Sequence, residues 1–197
     1  MTVDPRTTAL LVMDYQTGVV ANLPGAAEYL ARTAGAIATV RERGGHVGYV
    51  RVAFTDEDIR NVPAENLIFS RLLESRPFDD ADPITAVHPD LAPQADDLVV
   101  RKVRVGAFST TDLDARLRER GVTTLVLAGI ATSGVVLSTV RDAADRDYRL
   151  YVLEDCCADQ DPQVHDVLLH KVFPRQAEII TAADLPGLLS GAPRTTS

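Results

Sequence analysis

The chain has 197 residues, a length that fits one domain with a sizeable core. Hydrophobic residues make up 46% of the sequence and charged residues 24%, as in an ordinary globular protein. A formal net charge of −8 argues against a uniformly basic face for nucleic acid.

The first half of the chain predicts two strands, one helix and a long irregular segment. Residues Thr8–Met13 form a short, continuous apolar run, which is typical of a strand buried on both faces. Apolar residues then recur about one turn apart, which predicts a helix between Pro24 and the Gly44-Gly45 pair. A second strand is predicted over 46–54. The proline-rich residues 55–95 are predicted to be irregular, as in a lid or a subunit contact.

Strands and helices alternate regularly in the second half. The predicted strands cover 98–101, 124–128, 149–153 and 177–181, and the predicted helices cover 111–120, 134–146 and 161–170. This alternation predicts a single-domain, doubly wound α/β fold with a mostly parallel six-stranded sheet and helices on both faces. We assign residues 1–190 to this domain and expect 191–197 to form a flexible tail.

The residues that follow the strands are the candidates for function, because ligands of such sheets bind beyond the carboxyl ends of the strands. Asp14 follows the first strand and Lys102 the third, while the segment 129–136 leads from the fourth strand into a helix. A helix start offers free backbone N–H groups that can bind an anion. Taken singly, these features also fit a helix cap, a surface cation and an ordinary turn.

Three motifs in this order resemble the isochorismatase-like family, also called the cysteine hydrolases. They are Asp14-Tyr15-Gln16, the Lys-x-Arg-x-x-Ala-Phe run of 102–108, and the Gly-x-Ala-Thr turn of 129–132. The resemblance covers residues 7–181. It implies a homodimer or homotetramer acting on a small molecule, with no nucleic-acid or membrane partner. It also implies a cis peptide bond between Ile130 and Ala131.

The resemblance further implies a catalytic triad, of which this sequence holds two members. In the cysteine hydrolases an Asp takes the thiol proton, a Lys favours the thiolate and a Cys attacks the carbonyl. Asp14 and Lys102 match the first two, but Val135 occupies the position of the nucleophile. An isopropyl group cannot form a thioester, so the covalent mechanism of the family is not available from this position. The implied oxyanion or anion site is formed by the amides of Ala131 and Val135, and the candidate substrate-binding residues are Gln16, Arg51, Arg104 and Phe108.

Other nucleophiles are not favoured by the sequence. The hydroxyls of Thr132, Ser133 and Ser138 have no histidine nearby in the sequence to act as a base. The adjacent Cys156 and Cys157 do not align with the catalytic cysteine, and we interpret them as small packing residues.

Three hypotheses of function follow. Isochorismatases proper resemble this chain in lacking the cysteine; they cleave a vinyl ether, and their Asp is thought to act as a general acid. Val105 departs from the aromatic residue of that subgroup. The first hypothesis is therefore a hydrolase of an enol ether or amide-type substrate that uses Asp14 and Lys102. The second is a catalytically inactive small-molecule-binding or assembly protein on the same fold, and an unrelated doubly wound binding domain is a third interpretation.

No metal, no cofactor and a cytoplasmic location are expected. The four histidines at positions 46, 88, 165 and 170 lack the spacing of metal ligands, and no Gly-x-Gly-x-x-Gly turn follows the first strand. The N-terminus lacks the layout of a signal peptide, and no apolar run approaches the roughly 20 residues that span a bilayer. Adjacent cysteines rarely form a disulfide, which fits a reduced compartment.

Overall fold

A computed structural model of the chain describes residues 2–75 and 78–191, and these form a parallel six-stranded sheet. The strands are β1 (Thr8–Met13), β2 (His46–Val52), β3 (Leu98–Lys102), β4 (Thr124–Ile130), β5 (Arg149–Ala158) and β6 (Glu178–Ile180). Their order is β3-β2-β1-β4-β5-β6, and every neighbouring pair is parallel. The order reverses direction beside β1, so the ligand-binding edge is expected where β1 and β4 end.

Helices cover both faces of the sheet. They are α1 (Thr17–Val20), α2 (Ala26–Glu42), α3 (Asp56–Arg60), α4 (Leu67–Ser75), α5 (Leu113–Glu119), α6 (Leu137–Asp145), α7 (Pro162–Val167) and α8 (Leu185–Leu188). Alternate residues of β1 divide between two apolar clusters: Leu11 packs in the cluster that includes α5 and α6, and Leu10 in the cluster that includes α2 and α8. This arrangement confirms the predicted single-domain α/β class.

Glycines end two helices where the sequence predicted. Gly44 follows α2 with φ of 77°, and Gly121 follows α5 with φ of 70°. This left-handed conformation lets the next amide bond back to the last turn: Gly45 N–H donates to Val40 O at 2.9 Å, and Val122 N–H donates to Leu117 O at 3.0 Å. A side chain at either glycine would meet steric strain in its own backbone.

Three segments differ from the sequence-based expectation. The segment 55–95 is not wholly irregular, because it contains α3 and α4. The strand expected over 149–153 continues to Ala158, so the two cysteines lie inside β5 and not after it. The helix expected from residue 134 begins as a wide turn over Thr132–Val136 before α6. The expected flexible tail, beyond Gly191, lies outside the described residues.

Within 2–75 and 78–191, no helix combines the length and the apolar character that a membrane span needs.

The side chain of Gln16 ties three segments together at the edge where β1 ends. Its Oε1 accepts from Val52 N–H at 2.8 Å, and its Nε2 donates to Val52 O at 2.8 Å and to Thr85 O at 2.7 Å. Gln16 is fully buried. Both amide protons of Gln16 are bonded to backbone, so the side chain has no free donor for the predicted substrate contact. In this structure Gln16 joins the three segments.

We expect Gln16→Ala to lower the free energy of unfolding by roughly 2–4 kcal/mol, since buried backbone groups of Val52 and Thr85 would lose their partners. Chemical denaturation measures the change. Gln163→Ala, at an exposed position of α7, is the matched control and should change stability by about 0.5 kcal/mol or less. Equal effects of the two substitutions on the free energy of unfolding would contradict this structural role of Gln16.

Candidate active site

A buried ion pair joins Asp14 and Lys102 at the carboxyl edge of the sheet. Lys102 Nζ donates to Asp14 Oδ2 at 2.8 Å and to the carbonyl of Val105 at 2.7 Å. Asp14 follows central β1, while Lys102 is the last residue of edge strand β3. With strands about 4.8 Å apart, the two backbones are roughly 10 Å apart across β2. A long side chain is therefore required to bridge them.

The backbone at Asp14 turns sharply away from β1. Its φ is 57°, a left-handed conformation that Asp and Asn tolerate better than most residues. Its N–H still donates to Val50 O at 2.8 Å, so the turn begins from an intact strand. The turn and the bridging lysine together fix the carboxylate.

One oxygen of this carboxylate has no partner. Asp14 is only 7% exposed, and among the described residues its Oδ1 accepts no hydrogen bond. Burial raises the pKa of Asp14 above its ordinary value, and the positive charge of Lys102 offsets only part of that effect. Asp14 thus holds a proton more readily than a surface aspartate and has an oxygen left to carry it.

Val135, which the resemblance places at the nucleophile position, belongs to the apolar core. Val135 is 2% exposed and lies in the same cluster as Met13, the residue before Asp14. Phe108 is also buried in this cluster and stacks on Tyr148 with ring centroids 6.0 Å apart. The predicted substrate contact of Phe108 is therefore not supported by its position, because its ring is enclosed by core residues.

The turn after β4 has the backbone form that the resemblance implies. The Ile130–Ala131 peptide bond is cis, as expected. The carbonyl of Ala131 accepts from Gly134 N–H at 3.1 Å and from Val136 N–H at 3.3 Å. These two bonds join the wide turn over Thr132–Val136 to the residue that precedes it. In the described part of the chain the N–H of Ala131 has no acceptor, so it can still donate to a ligand.

A cleft of about 260 Å³ opens beside this turn. The cis pair Ile130 and Ala131 forms one wall, and residues of and after α1 form the opposite one. Its polar lining consists of Asn22, Ser133, Asp159 and Gln160. The side chains of Asp14 and Lys102 are not part of the lining.

The two arginines predicted to bind substrate point toward the 55–95 segment. Arg51 Nη2 lies 2.6 Å from Asp80 Oδ1. Arg104 donates to Val103 O at 2.6 Å, and its guanidinium carbon lies 5.5 Å from the ring centroid of Phe69 in α4. The structure does not place either residue on the cleft.

One contact of this turn was missed from the sequence. His165 Nδ1 lies 2.8 Å from Thr132 Oγ1, although the residues are 33 positions apart. Thr132 is fully buried, so its hydroxyl holds the turn in place and does not face substrate. The available signal was topological: α7 follows β5, the neighbour of β4, and therefore begins at the same edge of the sheet.

Neither cysteine has the environment of a nucleophile. Both lie within β5 and are fully buried. Burial raises the pKa of the Cys156 thiol to about 12 and raises that of Cys157 as well. A protonated thiol is a poor nucleophile, which supports the interpretation of both as packing residues.

The residues that could hold a metal do not converge in the described ranges. No three His, Cys, Asp or Glu side chains there are grouped as ligands.

The sequence and the fold of this chain are similar to those of known proteins. The isochorismatase domain model matches residues 8–184. The isochorismatase family protein YwoC of Bacillus subtilis is 31% identical, with 89% of this chain and 90% of that protein covered. Maleamate amidohydrolase of Pseudomonas putida is 29% identical, covering 91% and 85%. The structure of an isochorismatase family protein from Burkholderia thailandensis has a TM-score of 0.81 at 32% identity, covering 96% and 98%.

The chain belongs to the isochorismatase family. It is a hydrolase of that family acting on small molecules.

The raised pKa of Asp14 gives stability a defined dependence on pH. Between the unfolded and folded pKa values the native protein holds a proton that the unfolded chain has lost, so this contribution to stability decreases as pH rises. We therefore expect the stability of the wild type relative to Asp14→Asn to decrease as pH rises from about 4, the unfolded pKa. Denaturant unfolding at a series of pH values measures it.

The control for this series is Asp184→Asn. A hydrogen bond from the Thr181 side chain lowers the pKa of exposed Asp184, so its contribution is present above the unfolded pKa and is lost as pH falls. As pH rises, the stability of the wild type should therefore decrease relative to Asp14→Asn and increase relative to Asp184→Asn. A wild-type stability that rises with pH relative to Asp14→Asn would contradict the raised pKa.

Proposed function

We propose that this protein hydrolyses a small enol ether or amide-type substrate with Asp14 and Lys102, without a cysteine nucleophile. The observation that carries the proposal is the buried 2.8 Å pair whose Asp14 Oδ1 accepts no hydrogen bond from the residues that the structure describes. A carboxyl group with a raised pKa and a free oxygen suits general acid catalysis. Lys102 supplies the positive charge that stabilises the carboxylate after the proton has left.

For an enol ether, Asp14 protonates the terminal alkene carbon. Water then adds to the resulting oxocarbenium carbon, and the hemiketal breaks to a ketone and an alcohol. Asp14 is reprotonated from the water that was consumed. The step needs no covalent enzyme intermediate, so Val135 can stand where a nucleophile would otherwise be required.

For an amide, the same residues would act on a water molecule. Asp14, as a carboxylate, accepts a proton as water attacks the carbonyl and returns it to the leaving nitrogen. The N–H groups of Ala131 and Val135 are the proposed donors to the oxyanion. The relative named as a maleamate amidohydrolase supports including amides among the candidate substrates.

We expect Asp14→Asn to lower kcat/KM by roughly 10²–10⁴-fold on every accepted substrate, because the amide cannot transfer the proton. Assays of product formation with a panel of amides, ureido acids and enol ethers measure the change in kcat/KM. Asp184→Asn, at an exposed position outside the site, should retain wild-type rates. Turnover that is unchanged in Asp14→Asn would contradict the assignment.

The alternative is a catalytically inactive small-molecule-binding or assembly protein. Buried Val135 at the nucleophile position favours it. A cysteine at position 135 separates the two proposals, because Val and Cys are similar in size and Asp14 and Lys102 are the proposed other members of the triad.

We expect Val135→Cys to gain amide hydrolysis that iodoacetamide abolishes. The lysine of the site should lower the pKa of the introduced thiol, so its alkylation should be roughly tenfold or more faster than that of the wild-type thiols, whose pKa values are raised. Mass spectrometry of the alkylated protein and product assays measure both effects. A variant that neither reacts nor hydrolyses any amide would favour the inactive alternative.

A further inference from the structure

The cleft beside the cis turn has a negative charge and no compensating cation. Of the described residues that line it, Asp159 is the one with an ionisable side chain. Asn22, Ser133 and Gln160 add neutral polar groups to an otherwise apolar lining. The cations near this edge are used elsewhere: Lys102 bonds Asp14, and Arg51 bonds Asp80.

The carboxylate of Asp159 is held in place by the backbone of the site. Its Oδ2 accepts from Ser133 N–H at 2.7 Å, within the wide turn that also contains Val135. Its Oδ1 accepts from Asp161 N–H at 3.3 Å. Partial burial acts to raise the pKa of Asp159, but hydrogen bonds from the backbone and side chain of Ser133 and from the backbone of Asp161 and Gln160 outweigh it and keep the pKa below its usual range. The group is therefore an anion at neutral pH.

A fixed anion in a small cleft discriminates between ligands by charge. A ligand ammonium group gains a charge-assisted hydrogen bond there, whereas a ligand carboxylate meets a like charge and loses water without a partner. Arg104, the family-motif arginine that could have bound a carboxylate, lies instead over the ring of Phe69.

We propose that Asp159 is a specificity-determining residue that selects small substrates whose end remote from the reacting group carries an ammonium group. The same residue disfavours substrates that end in a carboxylate. The substrate class is thus a small amide or enol ether with an amine terminus. This inference rests on the proposed function only in that the reacting group is taken to lie against Ala131, which lines the cleft and whose N–H is the proposed oxyanion donor.

Three amides of matched length test the charge preference: 4-aminobutyramide with an ammonium end, butyramide with a methyl end, and succinamate with a carboxylate end. Calorimetric binding to Asp14→Asn separates recognition from turnover, because this variant should bind without reacting. We expect 4-aminobutyramide to bind at least about fivefold tighter than succinamate, a ratio that corresponds to roughly 1 kcal/mol.

The variant pair Asp159→Asn and Ser133→Ala, each in the Asp14→Asn background, assigns the preference to its residue. Asp159→Asn keeps an acceptor for the Ser133 amide but removes the charge, so the binding ratio should fall to about one. Ser133→Ala keeps the charge, so the ratio should persist. If Asp159→Asn fails to fold, binding to the Asp14→Asn variant is measured at increasing salt instead. Screening should then reduce the ratio of the affinities for 4-aminobutyramide and succinamate.

The inference would be overturned if succinamate bound as tightly as 4-aminobutyramide, or if no probe bound. It would also be overturned if the ratio of these two affinities were unchanged by Asp159→Asn, or by salt in the Asp14→Asn variant. The proposed function fails separately, on the turnover assays with Asp14→Asn. A charge preference that persists without turnover would retain Asp159 as a specificity residue in a binding protein.

Discussion

The site depends on an ion pair that is enclosed on nearly every side. Lys102 is 2% exposed and Asp14 is 7% exposed, so both groups have lost most of their water. Desolvation of such a pair opposes folding, and the attraction between its members often does little more than offset that loss. A buried pair is therefore weak support for stability by itself. Within the described part of the chain one carboxylate oxygen has no hydrogen-bond partner, which further weakens a purely structural explanation and supports the proposed chemical role.

Val135, which the resemblance places at the nucleophile position, bears on what this pair is proposed to do. Beside a thiol, an aspartate can take a proton and be neutralised while the sulfur becomes charged. An isopropyl group has no such proton to give. Burial raises the pKa of Asp14, and the positive charge of Lys102 offsets only part of that effect. A carboxyl group in this state can donate a proton, as the proposed enol-ether route requires.

The sequence predicted the parts of the structure that follow from periodicity and chain order. The apolar run of β1 and the glycine after α2 were sufficient to place those elements. The extension of β5 to Ala158 was not predicted, because Glu154 and Asp155 interrupt its apolar pattern although pairing with β4 continues to Ile130. Contacts between distant residues, such as Thr132 with His165, leave no local signal at all.

Motif membership alone did not separate side chains that face a ligand from those that build the site. Gln16 is two residues after Asp14, and strand alternation would place both on one face; the left-handed turn at Asp14 breaks that relation. The side chain of Gln16 then bonds to the backbone of β2, while Asp14 accepts a hydrogen bond from Lys102. Phe108 lies after the lysine motif, yet its ring stacks in the core. The proposed reacting groups are positioned by a fold in which these two motif residues bond or pack within the protein. The proposed selection of substrate falls to the cleft wall, where Asp159 directly follows β5 and lies outside the three motifs.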